Sequence, residues 1–566
     1  MNRITARPAS GVAVPEQAAP RRPAVGYLTW GAPAVVTAVL GVYEIGVPQL
    51  WRDELASWSA ANRSLPQLWA MLHNIDAVLG IYYFGLHLWM AVFGDSATAM
   101  RLPSVIAMAG AAAVVALIGR RLGGGVAGLA SGLIFAVIPS VSRYAQEARP
   151  YAFATFFAAL ATLMFLRAME RPRWSNWIIY AVVLAAAGAA NLITVCVAAG
   201  HLAVVLWDFC QRTVRVGGDG TAESGKALPG GRLAPEGSPL LLVRRFCVAL
   251  ILGGVLVSPL VIEGHAQQGW QIGGVATPHV AQLIGISGGL WQELFSSVPV
   301  AAVVMLLAVV SLVAAPDARR RSIAGYALAF AIVPVVAVWL ISRGSTSYWT
   351  FRYMLFSIAG WSVGAGLGIA YLAERFKRAR VARLTGVLSP RFAVAAVLVA
   401  VVGLAGIHDQ LAIRQNEAHN LWAYPEMPSN GTPVDYKAAA AVIAANERPG
   451  DAIAFQTSDE NHYQVDTAMT YYLRGKLPRP IFQAQTQVQT NSLQPAECQD
   501  LAPCLAGTPR IWVVYVDHLA PDPFSALPST GPYNVSEGDY LAVLGYQTKS
   551  TWQENGITVA LLTVGG

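Results

Sequence analysis

The sequence predicts a polytopic α-helical membrane protein with a C-terminal α/β domain. Of its 566 residues, 55% are hydrophobic and only 13% are charged, about half the charged share of an average soluble domain. Several apolar runs approach the ~20 residues that a helix needs to cross a bilayer. Arginines cluster in the short loops between these runs, which is typical of cytoplasmic loops. The expected location is therefore the lipid bilayer, as a multi-pass protein.

Charge and cysteine content exclude two other classes. The net charge of +7 comes from loop arginines rather than from a basic face, so no nucleic-acid partner is expected. Five cysteines are too few for a disulfide scaffold, although Cys498 and Cys504 can pair if the C-terminal region is extracytoplasmic. Residues 1–26 are rich in Pro, Ala and Arg without the apolar segment of a signal peptide. They are predicted to form a disordered cytoplasmic tail.

Residues 27–408 are predicted to form the transmembrane domain, beginning with the apolar run Val25–Val47. Arginines before this run hold the N-terminus in the cytoplasm, so the run leads to a first outer loop at residues 48–100. Within that loop, Val78–Phe93 has about 16 residues and is marginal for spanning. The positions of the basic loops require it to be non-spanning or re-entrant.

The next runs alternate across the membrane. Pro103–Ile118 and Val126–Pro139 are predicted to form a hairpin with Arg120 and Arg121 at its cytoplasmic turn. Trp177–Trp207 has about 31 residues, roughly 46 Å of helix, and predicts two crossings that meet near Asn191. Glu263–Ser297 is predicted to be an outer loop. About eleven crossings result, or twelve helices if the marginal segment is included, and the termini lie on opposite sides.

The C-terminal region, residues 409–566, has about 150 residues, a usual domain size. Asp435–Asn446 has the pattern of a helix, and Ala452–Phe455, Ile511–Val516 and Ile557–Val564 have the pattern of strands. This alternation predicts an extracytoplasmic α/β domain. The sequence does not separate a domain that shapes an outer cavity from a purely structural cap.

Charged and aromatic side chains collect on the predicted outer surface, beginning with Trp51-Arg52-Asp53-Glu54 after the first run. Charges at membrane depth are costly and normally line a cavity. Arginine forks suit the phosphate of a lipid-linked substrate, and a carboxylate can take the proton of an attacking hydroxyl. The candidate site residues are Arg52, Asp53, Glu54, His73, Asp76, Tyr82, Tyr144, Glu147, Arg149, Tyr151, Arg352 and Tyr353.

Several motifs follow one another in a specific order along the membrane portion. They are Trp51-Arg52-Asp53-Glu54, Leu65-Pro66-Gln67-Leu68-Trp69, the stretch from His73 to Val78 before Tyr82-Tyr83, Arg101-Leu102-Pro103-Ser104, the stretch from Tyr144 to Tyr151, and Phe351 to Phe356. This order resembles that of bacterial GT-C glycosyltransferases of the protein O-mannosyltransferase and aminoarabinose transferase superfamily. The resemblance covers most of the membrane portion and implies a GT-C type fold.

The resemblance implies inverting transfer of a sugar, most commonly mannose in this family, from a polyprenyl-phosphate donor. The acceptor would be a hydroxyl of a cell-envelope glycan, lipoglycan or protein, outside the cytoplasmic membrane of a bacterium. Asp53 maps onto the catalytic base with Glu54 beside it, Glu147 onto a second acid, and Arg149 and Arg352 onto phosphate or sugar contacts. This chain has Leu79-Gly80-Ile81 where many relatives have Pro-Pro. No metal ligands are assigned, and a divalent cation near His73 and Asp76 stays open.

Other interpretations fit parts of the same pattern. A lipid-linked substrate transporter or flippase also has many helices and buried charges, but usually shows broken helices in two corresponding halves, which this sequence lacks. A non-catalytic envelope protein leaves the outer charges unexplained. For single residues, Asp53 can be an interfacial structural acid, Glu147 can pair with Arg143 or Arg149, and Arg352 can extend from a helix end to the interface.

Overall fold

The computed structural model describes residues 23–217, 239–285, 289–376, 390–414, 434–456, 463–517, 519–530 and 534–565. The predicted tail at residues 1–26 lies almost entirely outside these ranges. The predicted domain boundary at residue 409 falls within a short helix, and residues 415–433 after it are also outside the described residues.

The regular elements of the N-terminal portion are all helices among its described residues. Its helices are α1 Pro23–Val42, α2 Arg52–Ala61, α3 Leu65–Leu72, α4 Gly80–Phe93, α5 Ala97–Val137, α6 Pro139–Ala145, α7 Tyr151–Glu170, α8 Trp174–Ala190, α9 Val197–Gly217, α10 Pro239–Ile272, α11 Val280–Leu283, α12 Leu290–Phe295, α13 Val298–Ala314, α14 Ala318–Ile341, α15 Ile358–Phe376, α16 Pro390–Ala405 and α17 Ile407–Ala412. Short 3-10 segments precede three of them, at Ala77–Leu79, Leu192–Cys196 and Phe351–Ser357.

Among the described residues, six helices are long and apolar enough to cross a membrane, and five shorter apolar helices accompany them. Counting the two arms of α5 separately and leaving out α4 gives eleven passes in this part of the chain. This multi-pass helical architecture confirms the predicted fold class. We call the end of the bundle where α2 contacts Arg149 and the C-terminal domain the site end, and the opposite end the basic end.

Helix α5 forms the predicted hairpin. Gly124 interrupts the helix with a φ of +85°, a left-handed conformation that favours glycine. Beyond this turn the arms lie so close that a Cβ on Gly119 would be 3.0 Å from the carbonyl oxygen of Ala127. Arg120 donates a hydrogen bond to the carbonyl oxygen of Gly26 at the start of α1. The turn therefore lies beside the N-terminal end of α1, which defines the basic end.

Helix α4 does not cross the bundle. It has 14 residues, about 21 Å at 1.5 Å per residue, less than the ~30 Å hydrocarbon core. Tyr83 in its second turn contacts Arg149, and Asp95 just after it contacts Arg474 of the C-terminal domain. Because Arg149 also contacts α2, α4 stays at the site end, as the loop charges predicted for this segment.

The break between α8 and α9 lies where it was predicted. The Asn191 side chain accepts a hydrogen bond from the backbone N–H of Ile193 at 3.0 Å and caps the 3-10 segment that opens the next pass. The prediction of an outer loop at Glu263–Ser297 was wrong over its first part, because α10 continues to Ile272. This helix has 34 residues and extends to the first outer loop. There the Gln267 side-chain amide donates to the carbonyl oxygen of Leu72 and accepts from the backbone N–H of Ala77.

The C-terminal portion is an α/β domain, as predicted. Its elements are α18 Tyr436–Asn446, β1 Ala452–Phe455, α19 Val465–Leu473, β2 Arg479–Pro480, β3 Gln483–Gln485, β4 Ala496–Glu497, α20 Leu501–Leu505, β5 Arg510–Val516, β6 Ser529–Thr530, β7 Val535–Ser536, α21 Glu537–Val543, β8 Tyr546–Glu554 and β9 Ile557–Val564. Asp435 caps α18 by accepting from Ala438, and Cys498 and Cys504 form a disulfide bond.

The main sheet has the order β2-β1-β5-β9-β8, with β2, β1 and β5 parallel and the last two pairings antiparallel. One face of this sheet packs with α18, α19 and residues of the first outer loop such as Leu50 and Leu55 in a single hydrophobic cluster. The C-terminal domain therefore shares a core with the loop that carries the candidate site.

Candidate active site

Helix α2 places two acidic side chains in its first turn, Asp53 and Glu54, where carboxylates interact favourably with the helix dipole. Because successive helical residues point about 100° apart, these neighbours enter different surroundings. Glu54 is 1% exposed and faces the protein interior. Asp53 faces the guanidinium groups of Arg52, Arg149 and Arg352.

Glu54 is fully engaged by a buried ion pair. Arg101 donates from Nε and Nη2 to the two carboxylate oxygens at 2.8 and 2.7 Å, a bidentate geometry. The backbone N–H of Ala148 donates to the same carboxylate at 2.8 Å. Arg101 gives its remaining donors to the carbonyl oxygens of Ile45, Pro48 and Gln49. At the site end, this network connects the segment that follows α1 with α2, α5 and the loop before α7.

Asp53 lies among three guanidinium groups. Its Oδ2 is 3.9 Å from Arg149 Nη2 and 3.8 Å from Arg352 Nη2, whereas its Oδ1 is 3.5 Å from Arg52 Nε. Although burial raises the pKa of Asp53, the charges of Arg149, Arg352 and Arg52 together hold it below its usual value. Asp53 is therefore ionised at neutral pH.

Arg149 is oriented by side chains from two helices of the outer loop. Its Nη1 lies 3.4 Å from the Ser57 hydroxyl and 3.4 Å from the Tyr83 hydroxyl. Tyr83 in turn donates to Asp76 Oδ2 at 2.8 Å. Asp76, with a φ of +60°, thus orients Tyr83 and also adds a negative charge near Arg149.

Arg352 reaches Asp53 from the other half of the chain. It stands at the start of the 3-10 segment before α15, and its guanidinium lies 5.8 Å from the Tyr151 ring and 5.9 Å from the Tyr353 ring. Arg149 lies 6.0 Å from the same Tyr151 ring. Tyr151 thus lies beside both cations, within the range of cation–π attraction, and Tyr144 packs edge-on against it at 5.7 Å.

Glu147 is a buried acid near this cluster. It is 1% exposed, and neither carboxyl oxygen has a hydrogen-bond partner among the described residues. Burial, with the nearby charges of Glu54 and Asp53, raises the pKa of Glu147 well above its usual value despite Arg143 and Arg149. The protonated form of Glu147 is therefore favoured over what an ordinary glutamate would show. Of its predicted pairing partners, Arg143 instead lies 3.8 Å from Glu293.

The raised pKa of Glu147 predicts a pH-dependent gain in stability for Glu147→Gln. Between the ordinary pKa of a glutamate, ~4.3, and the higher folded-state pKa, the folded state binds more protons than the unfolded state, so the free energy of unfolding falls as pH rises. The neutral amide lacks this dependence. We therefore expect the melting temperature of Glu147→Gln, relative to the wild type, to rise between pH 5 and pH 8 in thermal unfolding of the purified protein. A constant difference would contradict a protonated Glu147.

Of two further predicted site residues, His73 stands apart from the Asp53 cluster, whereas Tyr82 lies near Arg149 and Glu147. His73 is exposed, with its Nδ1 2.8 Å from the carbonyl oxygen of Trp69 and its ring 4.9 Å from the Trp69 ring. Tyr82 packs against Tyr83 and Phe153, and its buried hydroxyl has no hydrogen-bond partner in the described part of the chain. No group of three or more His, Cys, Asp or Glu side chains with metal-binding geometry occurs among the described residues.

The sequence interpretation missed the residues that hold α2 from outside. Arg101 was recognised as part of a motif but was not assigned to the site. Gln49 and Arg63 were not recognised, and their partners lie about 400 residues away in the C-terminal domain. No local pattern marks such contacts, since they depend on how the two parts of the chain pack.

Comparisons with known proteins bear on this site and fold. Residues 81–217 match the family model described as dolichyl-phosphate-mannose-protein mannosyltransferase. The apo structure of ArnT from Cupriavidus metallidurans aligns with a TM-score of 0.52 and 14% identity, covering 96% of this chain and 98% of that chain. ArnT bound to undecaprenyl phosphate aligns with a TM-score of 0.51 and 13% identity, covering 95% and 99%. No curated protein sequence matches.

A third solved structure, the apo oligosaccharyltransferase of Archaeoglobus fulgidus, aligns with a TM-score of 0.43 and 11% identity, covering 87% of this chain and 69% of that chain. At such low identities, the ArnT structures establish a shared fold along nearly the whole of both chains. The family match and this fold confirm the resemblance that the order of the sequence motifs predicted.

Proposed function

We propose that this chain, a multi-pass membrane glycosyltransferase with the GT-C fold, transfers a sugar from a polyprenyl-phosphate donor to an acceptor hydroxyl. The observation that carries the proposal is the position of Asp53 opposite Arg149 and Arg352, which come from distant parts of the chain. The complex of ArnT with undecaprenyl phosphate supports a polyprenyl phosphate as the lipid. The family match favours mannose as the sugar.

Arg149 and Arg352 are suited to bind the donor phosphate. Both guanidinium groups lie 3.8 to 3.9 Å from the same oxygen of Asp53, so an anion that binds beside Asp53 would meet two cations at once. A guanidinium presents paired N–H groups that match phosphate oxygens. As the sugar leaves, the phosphate gains negative charge, and two fixed cations stabilise this charge more than that of the bound donor.

Asp53 is suited to act as the general base. The acceptor oxygen forms a bond to the anomeric carbon while the bond from that carbon to the phosphate oxygen breaks. Its electron pair goes to the phosphate, and the acceptor proton goes to Asp53. When the phosphate engages Arg149 and Arg352, Asp53 loses much of the charge that lowers its pKa, so it becomes a stronger base as the donor binds. Attack opposite the leaving phosphate inverts the anomeric configuration.

The remaining acids take supporting roles in this mechanism. Glu54 acts as a positioning residue, because its carboxylate is occupied by Arg101 and Ala148, rather than as a second base. In its protonated form, which its raised pKa favours, Glu147 can donate a hydrogen bond to a sugar hydroxyl without repelling the donor phosphate. The site end would face outside the cytoplasmic membrane of a bacterium, with the acceptor a glycan, lipoglycan or protein of the cell envelope. The arginines of the basic end fit a cytoplasmic position there.

The donor role of the arginines predicts weaker donor binding for Arg149→Lys and Arg352→Lys. A lysine keeps the charge but loses the paired N–H groups of a guanidinium. We therefore expect the Kd for polyprenyl phosphate to be about tenfold higher in each variant, which is ~1.4 kcal/mol of binding free energy. Binding is measured by competition against transfer of radiolabelled mannose from polyprenyl-phosphate mannose in proteoliposomes. The same assay with arabinose and amino-sugar donors tests the identity of the sugar.

Arg343→Lys is the matched control for these variants. Arg343 lies on the loop that leads to Arg352 but donates to the carbonyl oxygen of Pro278 instead of contacting Asp53. Its substitution is expected to leave the Kd for polyprenyl phosphate unchanged. Wild-type Kd values for Arg149→Lys and Arg352→Lys would contradict the assignment, and absence of transfer from every polyprenyl-phosphate sugar would remove the proposed function.

A further inference from the structure

The chain enters α2 through Gln49 and Leu50, and both are bound by the C-terminal domain. The Gln49 amide donates to Asp435 Oδ1 at 3.1 Å, and its carbonyl oxygen accepts from the backbone N–H of Lys437 at 3.1 Å. Leu50 donates its backbone N–H to the Tyr472 hydroxyl at 2.8 Å. Gln49 is buried, so breaking these bonds leaves polar groups unsatisfied. We call this set the Gln49 contact.

The chain leaves α2 through Arg63, which is bound by the loop between β3 and β4. The buried guanidinium donates from Nη2 to the carbonyl oxygen of Gln487 at 3.0 Å and to that of Ser492. Ser59 donates to Gln487 Oε1 at 2.8 Å. Leu493 of the same loop packs in a hydrophobic cluster with side chains of α2 and α3. We call this set the Arg63 contact.

These contacts fix α2 at both ends. A helix of 10 residues is about 15 Å long, and a single point of attachment would leave it free to pivot. The Glu54–Arg101 pair holds one face of the helix, and the two contacts hold it against the C-terminal domain. The oxygens of Asp53 lie 3.5 to 3.9 Å from three cations, so a displacement of ~1 Å changes every one of these distances appreciably.

From this arrangement, we infer that the C-terminal domain positions Asp53 for the reaction, and that Gln49 and Arg63 are the positioning residues through which it acts. The domain is thus part of the active-site scaffold and not only a cover. The inference rests on the proposed function, since Asp53 is placed in a reaction there. Misplacement of a reacting group by ~1 Å can lower the rate by about 100-fold, which sets the scale of the expected effects.

The Gln49 contact is tested by reversing its polarity. Gln49→Glu places a carboxylate against the Asp435 carboxylate and is expected to lower kcat by about 10- to 100-fold with little change in the donor KM. Adding Asp435→Asn restores a carboxylate–amide pair with donor and acceptor exchanged. Because Asn caps a helix as well as Asp does, α18 is retained. The double variant is expected to recover most of the lost kcat.

The Arg63 contact is tested by a pair of substitutions that differ in hydrogen bonding. Arg63→Met removes the donors to Gln487 and Ser492 while keeping much of the side-chain volume, and it is expected to lower kcat by about 10-fold or more. Arg63→Lys keeps a charged donor that can reach one of the two carbonyl groups and is expected to recover part of kcat. Rates are expressed per mole of folded protein, so that loss of folded enzyme is separated from loss of positioning.

Hydrogen–deuterium exchange of the full-length protein in nanodiscs provides a measurement that does not depend on activity. Amide groups of residues 52–61 are expected to exchange faster in Gln49→Glu and Arg63→Met than in the wild type, and to regain protection in the Gln49→Glu/Asp435→Asn variant. This measurement remains informative if the wild type transfers no sugar from the donors tested, so the positioning inference and the proposed function can fail separately.

Arg479→Ala is the matched control, because Arg479 donates to the carbonyl oxygen of Leu505 within the C-terminal domain and does not contact α2. It is expected to leave kcat and the exchange of residues 52–61 unchanged. The inference is supported by lower kcat and faster exchange in Gln49→Glu with recovery in the double variant. It is overturned if Gln49→Glu and Arg63→Met keep wild-type kcat and exchange, or if the double variant remains as impaired as Gln49→Glu.

Discussion

Asp53→Asn is expected to lower kcat for sugar transfer by between about 100-fold and 10,000-fold, the usual contribution of a general base. The amide has the size of the carboxylate but cannot take the acceptor proton. Donor binding is expected to be retained or strengthened, because the substitution removes a negative charge 3.8 to 3.9 Å from the two arginines assigned to the phosphate. Transfer from polyprenyl-phosphate mannose in proteoliposomes measures both quantities.

Asp522→Asn serves as the control for Asp53→Asn. Asp522 is an acid of the C-terminal domain whose carboxylate accepts from the backbone N–H groups of Phe524 and Ser525 in its own loop, and its substitution is expected to leave kcat nearly unchanged. A kcat for Asp53→Asn within a few-fold of the wild type would remove Asp53 from the chemistry. The arginine pair would then remain a phosphate site without an identified base.

The lowered pKa of Asp53 also fixes the direction of its pH dependence. In the free enzyme its carboxylate is ionised well below pH 5, so kcat/KM is not expected to fall through titration of Asp53 between pH 8 and pH 5. The same shift contributes stability that is present above the ordinary Asp pKa of ~3.9 and is lost as pH falls through the lower folded-state value. Asp53→Asn is therefore expected to lose stability relative to the wild type near neutral pH, and to lose less in strong acid.

The path of the chain through the bundle could be predicted because local sequence determines it. The basic loop at Arg120 and Arg121 marked the α5 hairpin, and the excessive length of Trp177–Trp207 marked the break that Asn191 caps. The end of α10 was misplaced because polar residues such as Glu263 and Gln267 ended the apolar pattern, while the helix continued to contact the outer loop. The length of an apolar run indicates where the chain leaves the lipid, and a helix can continue beyond that point.

The sequence predicted which residues form the candidate site better than it predicted what each of them does there. Arg52, Asp53, Arg149 and Arg352 were all expected near one surface, and the structure brings their side chains together. The roles of Asp53 and Glu54 could not be separated from sequence, since both are acids at the same membrane boundary. Their difference arises from tertiary contacts, because only Glu54 meets Arg101 and the backbone of Ala148.

This contact predicts a large loss of stability when the Glu54–Arg101 pair is broken. Glu54→Leu leaves the Arg101 guanidinium buried without its carboxylate, and a guanidinium cannot lose its charge in a protein. We expect the free energy of unfolding to fall by about 3 to 5 kcal/mol. Arg101→Met is expected to cost less, because an abandoned carboxyl group can take up a proton. Both values are measured by denaturant unfolding of the purified protein in detergent.

A double-variant cycle separates this pair from general loss of packing. Glu54→Leu with Arg101→Met removes both charges, so its cost should be smaller than the sum of the single costs by at least about 1 kcal/mol. The exposed pair Arg121–Glu170 at the basic end, with side chains 30% and 31% exposed, is the matched control, and breaking it should cost no more than about 1 kcal/mol. Strictly additive costs at Glu54 and Arg101 would show that the two side chains stabilise the fold independently. In that case the Glu54–Arg101 pair would not be the contact that holds α2 in place and keeps Asp53 beside Arg149 and Arg352.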